Sequence, residues 1–411
     1  MDGSVIVGID IGTTKVCTLV AREESSGHVH ILGVGVEPSQ GIKKGVIVDL
    51  LAASQAISRS VDKAARTSGI EITSALVSLA GSHVSSVNSR GVVGITGRTI
   101  DEDDVARAVD AARAVAIPHN REIIHVIQRG FTVDGQDGIH TPIGMHGYRL
   151  EVECHIITAA AATVENLRQC VADAGVEVQQ FVLNPLASAE VVLTDTERQM
   201  GVVVCDMGGG TTDIAICIDG DVWHTAVLAV GGNHITSDIA HLLRLPLSQA
   251  EEIKLQHGHA TRSEIPMEEA FIIQPFGEEK PVEINRYELC QIIEARVDEI
   301  FSLVLQEIRR SGYDGLLPAG MVLTGGSALL PGIRSLASDV IGLPVRIAKP
   351  ENLSGMVEKL DSPAYSTAVG LLRWAMLMNE IIPDIRPRPM ANVSGGETWA
   401  KVKDFIRRLL P

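Results

Sequence analysis

The chain has 411 residues and a formal net charge of −16. Its length allows about two to three domains with a full hydrophobic core, and 45% apolar against 21% charged residues excludes wholesale disorder. An acidic chain repels polyanions, which argues against general nucleic-acid binding.

An apolar strand is expected at 5–11, then a Gly-Thr-Thr turn and strands at 16–21 and 30–36. Asp49 is placed to cap a helix over 50–67, with Gly69 just past its end. A buried strand follows at 75–80. From 83 to 158 the pattern changes to short strands (92–95, 123–126, 149–157) around one helix at 103–115. Thr99 and Glu102 read as that helix's capping box. The acidic run 101–104 suits a helix N-terminus, where the dipole favours it, better than a metal site. The whole segment reads as a small α+β insertion. After a helix at 164–174 and a strand at 178–183 the opening pattern returns: strand 201–205, a glycine-rich turn, strand 213–218. A helical region is expected over 235–256, and a long helix over 286–310 with Leu289, Ile293, Val297, Ile300 and Val304 on one stripe. A strand at 321–324 meets Gly325-Gly326, the last folded helix spans 367–379, and 384–396 is a Pro/Gly/Ser-rich linker.

The six cysteines, Cys17, Cys154, Cys170, Cys205, Cys217 and Cys290, form no CxxC pair. Reduced, buried thiols of a cytosolic protein are expected. No basic region opens the chain as in a secretory signal. No uncharged apolar run approaches the roughly 18 residues of a membrane-spanning helix. The 13 histidines include no HExxH or other zinc pattern.

Chemistry concentrates in two motifs. The first runs Gly8-Ile9-Asp10-Ile11-Gly12-Thr13-Thr14-Lys15, the second Cys205-Asp206-Met207-Gly208-Gly209-Gly210-Thr211-Thr212-Asp213. Each puts an Asp at the end of an apolar strand, then small residues in a tight turn. Such turns let backbone N–H groups approach phosphate oxygens, and threonine hydroxyls add donors. Either motif alone is equally a plain β-hairpin. Two copies favour an internal duplication whose turns clamp a polyphosphate, with Lys15 on the outer phosphates. Asp10 and Asp206 would hold magnesium, through water because magnesium dehydrates reluctantly. A P-loop and a Rossmann fingerprint are both missing. Gly325-Gly326-Ser327, between a strand and a helix, would let a base or ribose lie against backbone. Gly232-Asn233 offers a further phosphate-side turn. Glu251 and Lys254 share a helix face, either as a surface ion pair or as ribose and base contacts.

In this order the pieces resemble the actin, heat-shock-chaperone and sugar-kinase superfamily, and within it the chain resembles the bacterial cell division proteins of the FtsA type along essentially its whole length. The connecting elements would be 184–189 and 362–370. The most specific features are the early insertion, the runs 232–240, 250–254 and 365–372, and the linker with its amphipathic end. The resemblance implies an actin-like α/β fold: two duplicated RNase-H-like domains around a nucleotide cleft, with an inserted subdomain 1C in place of 1B. Subdomain 1A would comprise 1–82, 161–198 and the helix 361–383; 1C, 83–160; 2A, 199–232 and 312–360; 2B, 233–311. It implies ATP and magnesium as cofactors, filaments of the chain itself, and location at the division septum on the cytoplasmic face of the membrane. It also implies docking of the FtsZ tail on 2B, with Arg286 and Arg296 as candidates for its acidic groups, and contacts of 1C with other division proteins. Both arginines suit surface ion pairing with Glu294 or Asp298 equally well.

One position departs from the superfamily. Chaperones and bacterial actins place an acid just before the proline of the first connecting element; here it is Asn184. An amide orients water but is a poor base, so slow or negligible turnover is expected. Glu190 lies too far along the helix to replace it.

Charge is uneven along the chain. From Arg386 onward six basic residues face two acidic ones, a +4 tail on a −20 body. Within 397–411, Trp399, Val402, Phe405, Ile406 and Leu409 fall on one helical face, with Lys401, Lys403, Arg407 and Arg408 mostly opposite. This composition suits a helix lying in an anionic membrane surface. Packing on the protein's own core, or on a partner, is the alternative. Three readings follow: a membrane-tethering ATP-binding scaffold, an active ATPase or phosphotransferase of the same superfamily, and a pilus-assembly scaffold of the PilM type.

Overall fold

The computed structural model describes residues 5–24, 28–97, 99–114, 117–278 and 280–381. The linker at 384–396 and the amphipathic segment at 397–411, with Trp399 to Leu409, lie outside the described residues, as does Val115 at the expected end of the insertion's helix.

The duplication read from the two motifs is built into two sheets. In the first, Val5–Ile11, Lys15–Glu23 and Val29–Pro38 run antiparallel in succession. On the other side of Val5–Ile11 lie Ser74–Leu79 and Glu177–Leu183, both parallel. In the second, Val202–Met207, Thr212–Ile218 and Asp221–Leu228 are the antiparallel set, and Met321–Thr324 and Val345–Ile347 the parallel pair. The strand order is therefore the same in both, and the first gains one edge strand, Leu353–Gly355. Parallel neighbours require crossovers. The helix Leu50–Ser68 supplies one, begun by the Asp49 side chain accepting from the Ala52 N–H and ended by left-handed Gly69. The strands Val202–Met207 and Thr212–Ile218 are buried at every position. Their unbroken apolar sequence suits a sheet covered on both faces.

Two helices, Asn184–Val192 and Ser366–Ile381, link the sheets. They pack closely because Gly370 has no side chain: a Cβ there would overlap the Ala187 carbonyl.

The insertion forms its own four-stranded sheet, in the order Ser85–Gly94, Arg149–Ala160, Arg121–Val133, Gln136–Ile139. The helix Glu102–Arg113 covers it, and Ile100, Val105, Val126, Phe131, Leu150 and Ile156 fill the space between. This sheet also touches the second half. Ser86 Oγ donates to the Thr225 carbonyl at 2.9 Å, and His155 Nε2 lies 2.9 Å from Thr225 Oγ1. The Arg129 guanidinium sits 4.3 Å from the centre of the Trp223 ring, with Tyr313 edge-on to Trp223 at 5.3 Å.

Two local expectations are corrected. The capping box is Asp101 with Asp104, each side chain accepting from the other's backbone N–H, and not Thr99 with Glu102. Thr99 instead forms a bridge to His146. The helical region at 235–256 is two helices, Gly232–Leu243 and Leu247–His257. Arg244 turns left-handed at φ 54°, and Pro246 then begins the next helix, because its ring and missing N–H cannot continue the previous one. All six cysteines are buried and unpaired, as expected.

Candidate functional site

The two turns are equivalent by hydrogen bonding. The Gly12 N–H donates to the Lys15 carbonyl at 3.0 Å, and the Gly208 N–H to the Thr211 carbonyl at 2.9 Å. This register makes Asp10 and Asp206 counterparts, each one residue before the turn. It also makes Cys17 and Asp213 counterparts, since they lie opposite those acids on the neighbouring strand. The turns face each other. Side chains on Gly209 and Gly210 would collide with Thr14 and Thr13 respectively, so glycine there permits the close approach.

Between the halves lies a cavity of about 370 Å³, within the range of about 300–1,000 Å³ usual for small-molecule and cofactor sites. Asp10, Gly12, Thr13, Thr14 and Lys15 line it from the first half. Asp206, Gly208, Gly209, Gly210 and Thr211 line it from the second. Gly232, Asn233, Glu251, Lys254, Gly325, Gly326, Ser327 and Asn184 also reach it. Nearly every residue expected at the cleft is thus brought together. Thr212 is the exception: it is buried in its strand, and its hydroxyl donates to the Val230 carbonyl at 2.8 Å.

The wall residues brace one another. The N–H groups of Gly232 and Asn233 donate to the carbonyls of Gly208 and Gly209, at 3.0 and 2.8 Å. Ser327 Oγ adds a bond to the Gly208 carbonyl at 3.0 Å. Lys254 Nζ pairs with Glu251 at 2.7 Å, so the ion pair forms, but on the cavity wall and tied to Thr236 Oγ1 at 2.9 Å. Lys15 donates to the Ala364 carbonyl and stands 4.4 Å from the Tyr365 ring centre.

Three carboxyls are buried at the floor. Asp10 accepts from Ser78 Oγ at 3.0 Å. Asp206 accepts from Ser188 Oγ, and from Thr367 Oγ1 at 2.8 Å, so both connecting helices hold it. Asp213 accepts from Thr211 Oγ1 at 3.1 Å. Burial pushes the pKa of each above the ordinary carboxyl value. For Asp10, Lys15 and the Ser78 bond oppose the rise; for Asp206, the Ser188 and Thr367 bonds do; for Asp213 the charge of Asp206 adds to it. Asp213 was missed from sequence. Its signal was present as the acid closing the second motif, but its role as a cavity wall depends on the cross-strand pairing.

The donor set suits a hard cation, since the candidate oxygens of Asp10 and Asp206 are carboxyl oxygens. Among the described residues no group of three or more His, Cys, Asp or Glu has direct-ligand geometry. Asp10 and Asp206 offer carboxylate oxygens of the kind a hard cation takes, one from each half of the cleft.

Away from the cleft, Arg296 forks onto Asp238 at 2.5 and 2.9 Å and reaches Glu299 at 2.5 Å. Arg286 pairs with Glu269 at 2.5 Å. Neither uses Glu294 or Asp298; Glu294 pairs with Arg262 at 3.5 Å. Glu190 is engaged by Arg198 at 3.1 Å. Among the described residues no helix is long and apolar enough to cross a membrane.

Comparison with known proteins agrees with this architecture. Residues 203–370 match the family described as cell division protein FtsA, and residues 81–158 match the SHS2 domain inserted in FtsA. The cell division protein FtsA of Pseudomonas aeruginosa is 42% identical over 374 residues, covering 91% of this chain and 90% of that protein. That of Escherichia coli K12 is 37% identical over 380 residues, covering 91% and 90%. Among solved structures, a chain of the PilM-PilN type IV pilus biogenesis complex superposes with TM-score 0.63 at 17% identity, covering 91% of this chain and 99% of that one. MreB5 of Spiroplasma citri bound to ADP gives 0.54 at 18%, covering 89% and 94%. The fold is thus an actin-like α/β fold with an SHS2 insert, and the chain belongs to the FtsA family of cell division proteins.

Proposed function

We propose that this protein binds ATP in the cleft, polymerises on the cytoplasmic face of the cell membrane at the division septum, and tethers FtsZ filaments there. The observation that carries the nucleotide reading is the pair of glycine-threonine turns facing each other across one cavity, with a buried carboxyl behind each. Backbone N–H groups and threonine hydroxyls of both turns would hold the phosphates, and Lys15 would swing from Ala364 to the outer ones. Gly325, Gly326 and Ser327, with Glu251 and Lys254, would hold the nucleoside. Asp10 and Asp206 would position magnesium through water, and the ion would neutralise phosphate charge. Hydrolysis is slow or negligible. A solved neighbour of the same fold, MreB5, is described as bound to ADP, which supports this class of ligand.

Membrane attachment rests on the composition of 397–411. Each basic residue near an anionic leaflet contributes about 1 kcal/mol. One such helix binds weakly, and many along a filament gain avidity without new contacts. We keep the subdomain division given above, with the FtsZ tail on 2B and other division proteins on the insert. The test is co-sedimentation with anionic liposomes and ATP, with FtsZ as cargo, for the full chain and for a chain ending at 396. The full chain should carry FtsZ down and the shorter one should not. Equal recruitment by both would remove the tether from this reading.

A further inference from the structure

A short hairpin at 42–47 is strained at its tip. Lys43 pairs with Val46, so Lys44 and Gly45 form a two-residue loop, and both have positive φ, 52° and 74°. That is the pattern of a type I′ turn, for which asparagine-glycine is the favoured pair. Glycine meets the requirement freely. A lysine does not, because in the left-handed region its Cβ crowds the following carbonyl. A residue held there against its preference suggests a use for its side chain.

The surroundings of the loop say what that use is. Gly45 donates its N–H to Thr13 Oγ1 at 3.3 Å, and Thr13 lines the cleft in the first glycine-threonine turn. A Cβ on Gly45 would strike the Ala80 carbonyl, so the loop is seated closely on the first half. Across the cleft mouth stands His234, in the first turn of the helix Gly232–Leu243, its Nδ1 accepting from the Gly231 N–H at 3.1 Å. Burial first, and then the charge of Lys44, hold the His234 pKa below its ordinary value. The Lys44 ammonium is therefore close to the second half while its backbone is fixed to the first. Lys63, Lys254 and Lys349 pair with carboxylates; Lys44 is exposed and makes no such pair among the described residues.

We propose that Lys44 is a second cation for the terminal phosphate of the bound nucleotide, reaching it from the hairpin loop and so letting the cleft distinguish ATP from ADP. This rests on the nucleotide reading above and adds a residue to that site. Lys15 belongs to the phosphate turn itself, whereas Lys44 comes from a separate hairpin beside Thr13. A flexible four-carbon stem with three rotatable donors suits a charge that moves a short way onto an anion. Charge-assisted bonds to phosphate are the stronger kind, and only the triphosphate extends an extra phosphate group toward the loop.

Calorimetric titration with magnesium measures the affinity for ATP and for ADP in the full chain, Lys44→Asn and Lys43→Asn. Asparagine at 44 suits the turn and removes the charge; Lys43→Asn removes a charge from the same hairpin outside the loop. Lys44→Asn should weaken ATP about tenfold and ADP by no more than twofold, with Lys43→Asn within twofold on both. Its ligand-free thermal midpoint should be no lower than that of the full chain, because the strained lysine is gone. Equal effects on ATP and ADP, an equal loss in Lys43→Asn, or a lower midpoint in Lys44→Asn would each overturn the inference and leave nucleotide binding intact. Failure of the full chain to bind either nucleotide would overturn the nucleotide reading itself.

Discussion

Gly370 lies directly against the backbone of Ala187, where the helices joining the two halves cross, and a Cβ on it would overlap the Ala187 carbonyl oxygen and carbon. Glycine inside a helix normally costs about 1 kcal/mol relative to alanine. Here the sign should reverse, because overpacking a fixed crossing costs about 1–3 kcal/mol. Gly370→Ala should therefore lower the thermal unfolding midpoint. Thermal denaturation of the two proteins checks it, and a rise in midpoint would show that the helices can separate without loss.

Burying the three carboxyls of the cleft floor costs stability. A carboxyl whose pKa is higher in the folded than in the unfolded chain favours folding only while it is protonated. That contribution fades as pH rises through the folded value, leaving a net cost at neutral pH when no cation is bound. Asp213→Asn should thus raise the ligand-free midpoint by a few degrees; about 1 kcal/mol corresponds to about 2–4 °C at 150–250 residues. Asp206→Asn should weaken magnesium-dependent nucleotide binding at least tenfold. Differential scanning calorimetry and a nucleotide titration with and without magnesium give the two readouts.

His155 makes a pH prediction. Burial first, then the nearby charges of His224 and Arg129, lower its pKa from 6.5 to about 3. The unfolded chain therefore takes a proton that the folded chain refuses. The stability this histidine contributes is complete above about pH 6.5 and is lost as pH falls toward 3. His155 Nδ1 lies 2.7 Å from Asn88 Oδ1 and its Nε2 2.9 Å from Thr225 Oγ1, so His155→Gln keeps a polar side chain between them but cannot titrate. The difference in stability between the two proteins should change with pH between 6.5 and 5, by about 1.4 kcal/mol per pH unit at most. A constant difference from pH 7 to 5 would assign the acid sensitivity elsewhere.

Arg296 has to leave Asp238 before it can meet an acidic peptide. Asp238→Ala removes the fork and leaves the guanidinium held by Glu299 alone, and should tighten binding of an FtsZ-tail peptide about threefold, whereas Arg296→Ala should weaken it about tenfold. Fluorescence anisotropy with a labelled peptide measures both. Identical affinities in the two variants would leave Arg296 as a purely structural ion pair.

Sequence order carried most of the local story. The two Asp-Gly-Thr motifs announced the duplication, since strand, turn and strand all sit within 20 residues of chain. The stripe from Leu289 to Val304 announced the long helix, Arg286–Ser311. The errors arose where residues compete locally: Thr99 and Asp101 are both good caps, and only the chain's path chose between them. The hidden parts are long-range. Asp213 becomes a cavity wall only once its strand pairs with that of Asp206. Asp238, on which Arg296 forks, lies 58 positions away on another helix. Stacking of Arg129 on Trp223 needs a strand of the insertion to reach the other half of the molecule, and no periodicity encodes that.

That last contact has a mechanical consequence. The halves are joined both by the crossed helices at Gly370 and by the insertion's sheet resting on Thr225, Trp223 and Tyr313. A rotation of one half against the other that keeps the helix crossing intact must therefore either carry the insertion along or slide Arg129 off the Trp223 ring, so the insertion acts as a strut and not as a free appendage.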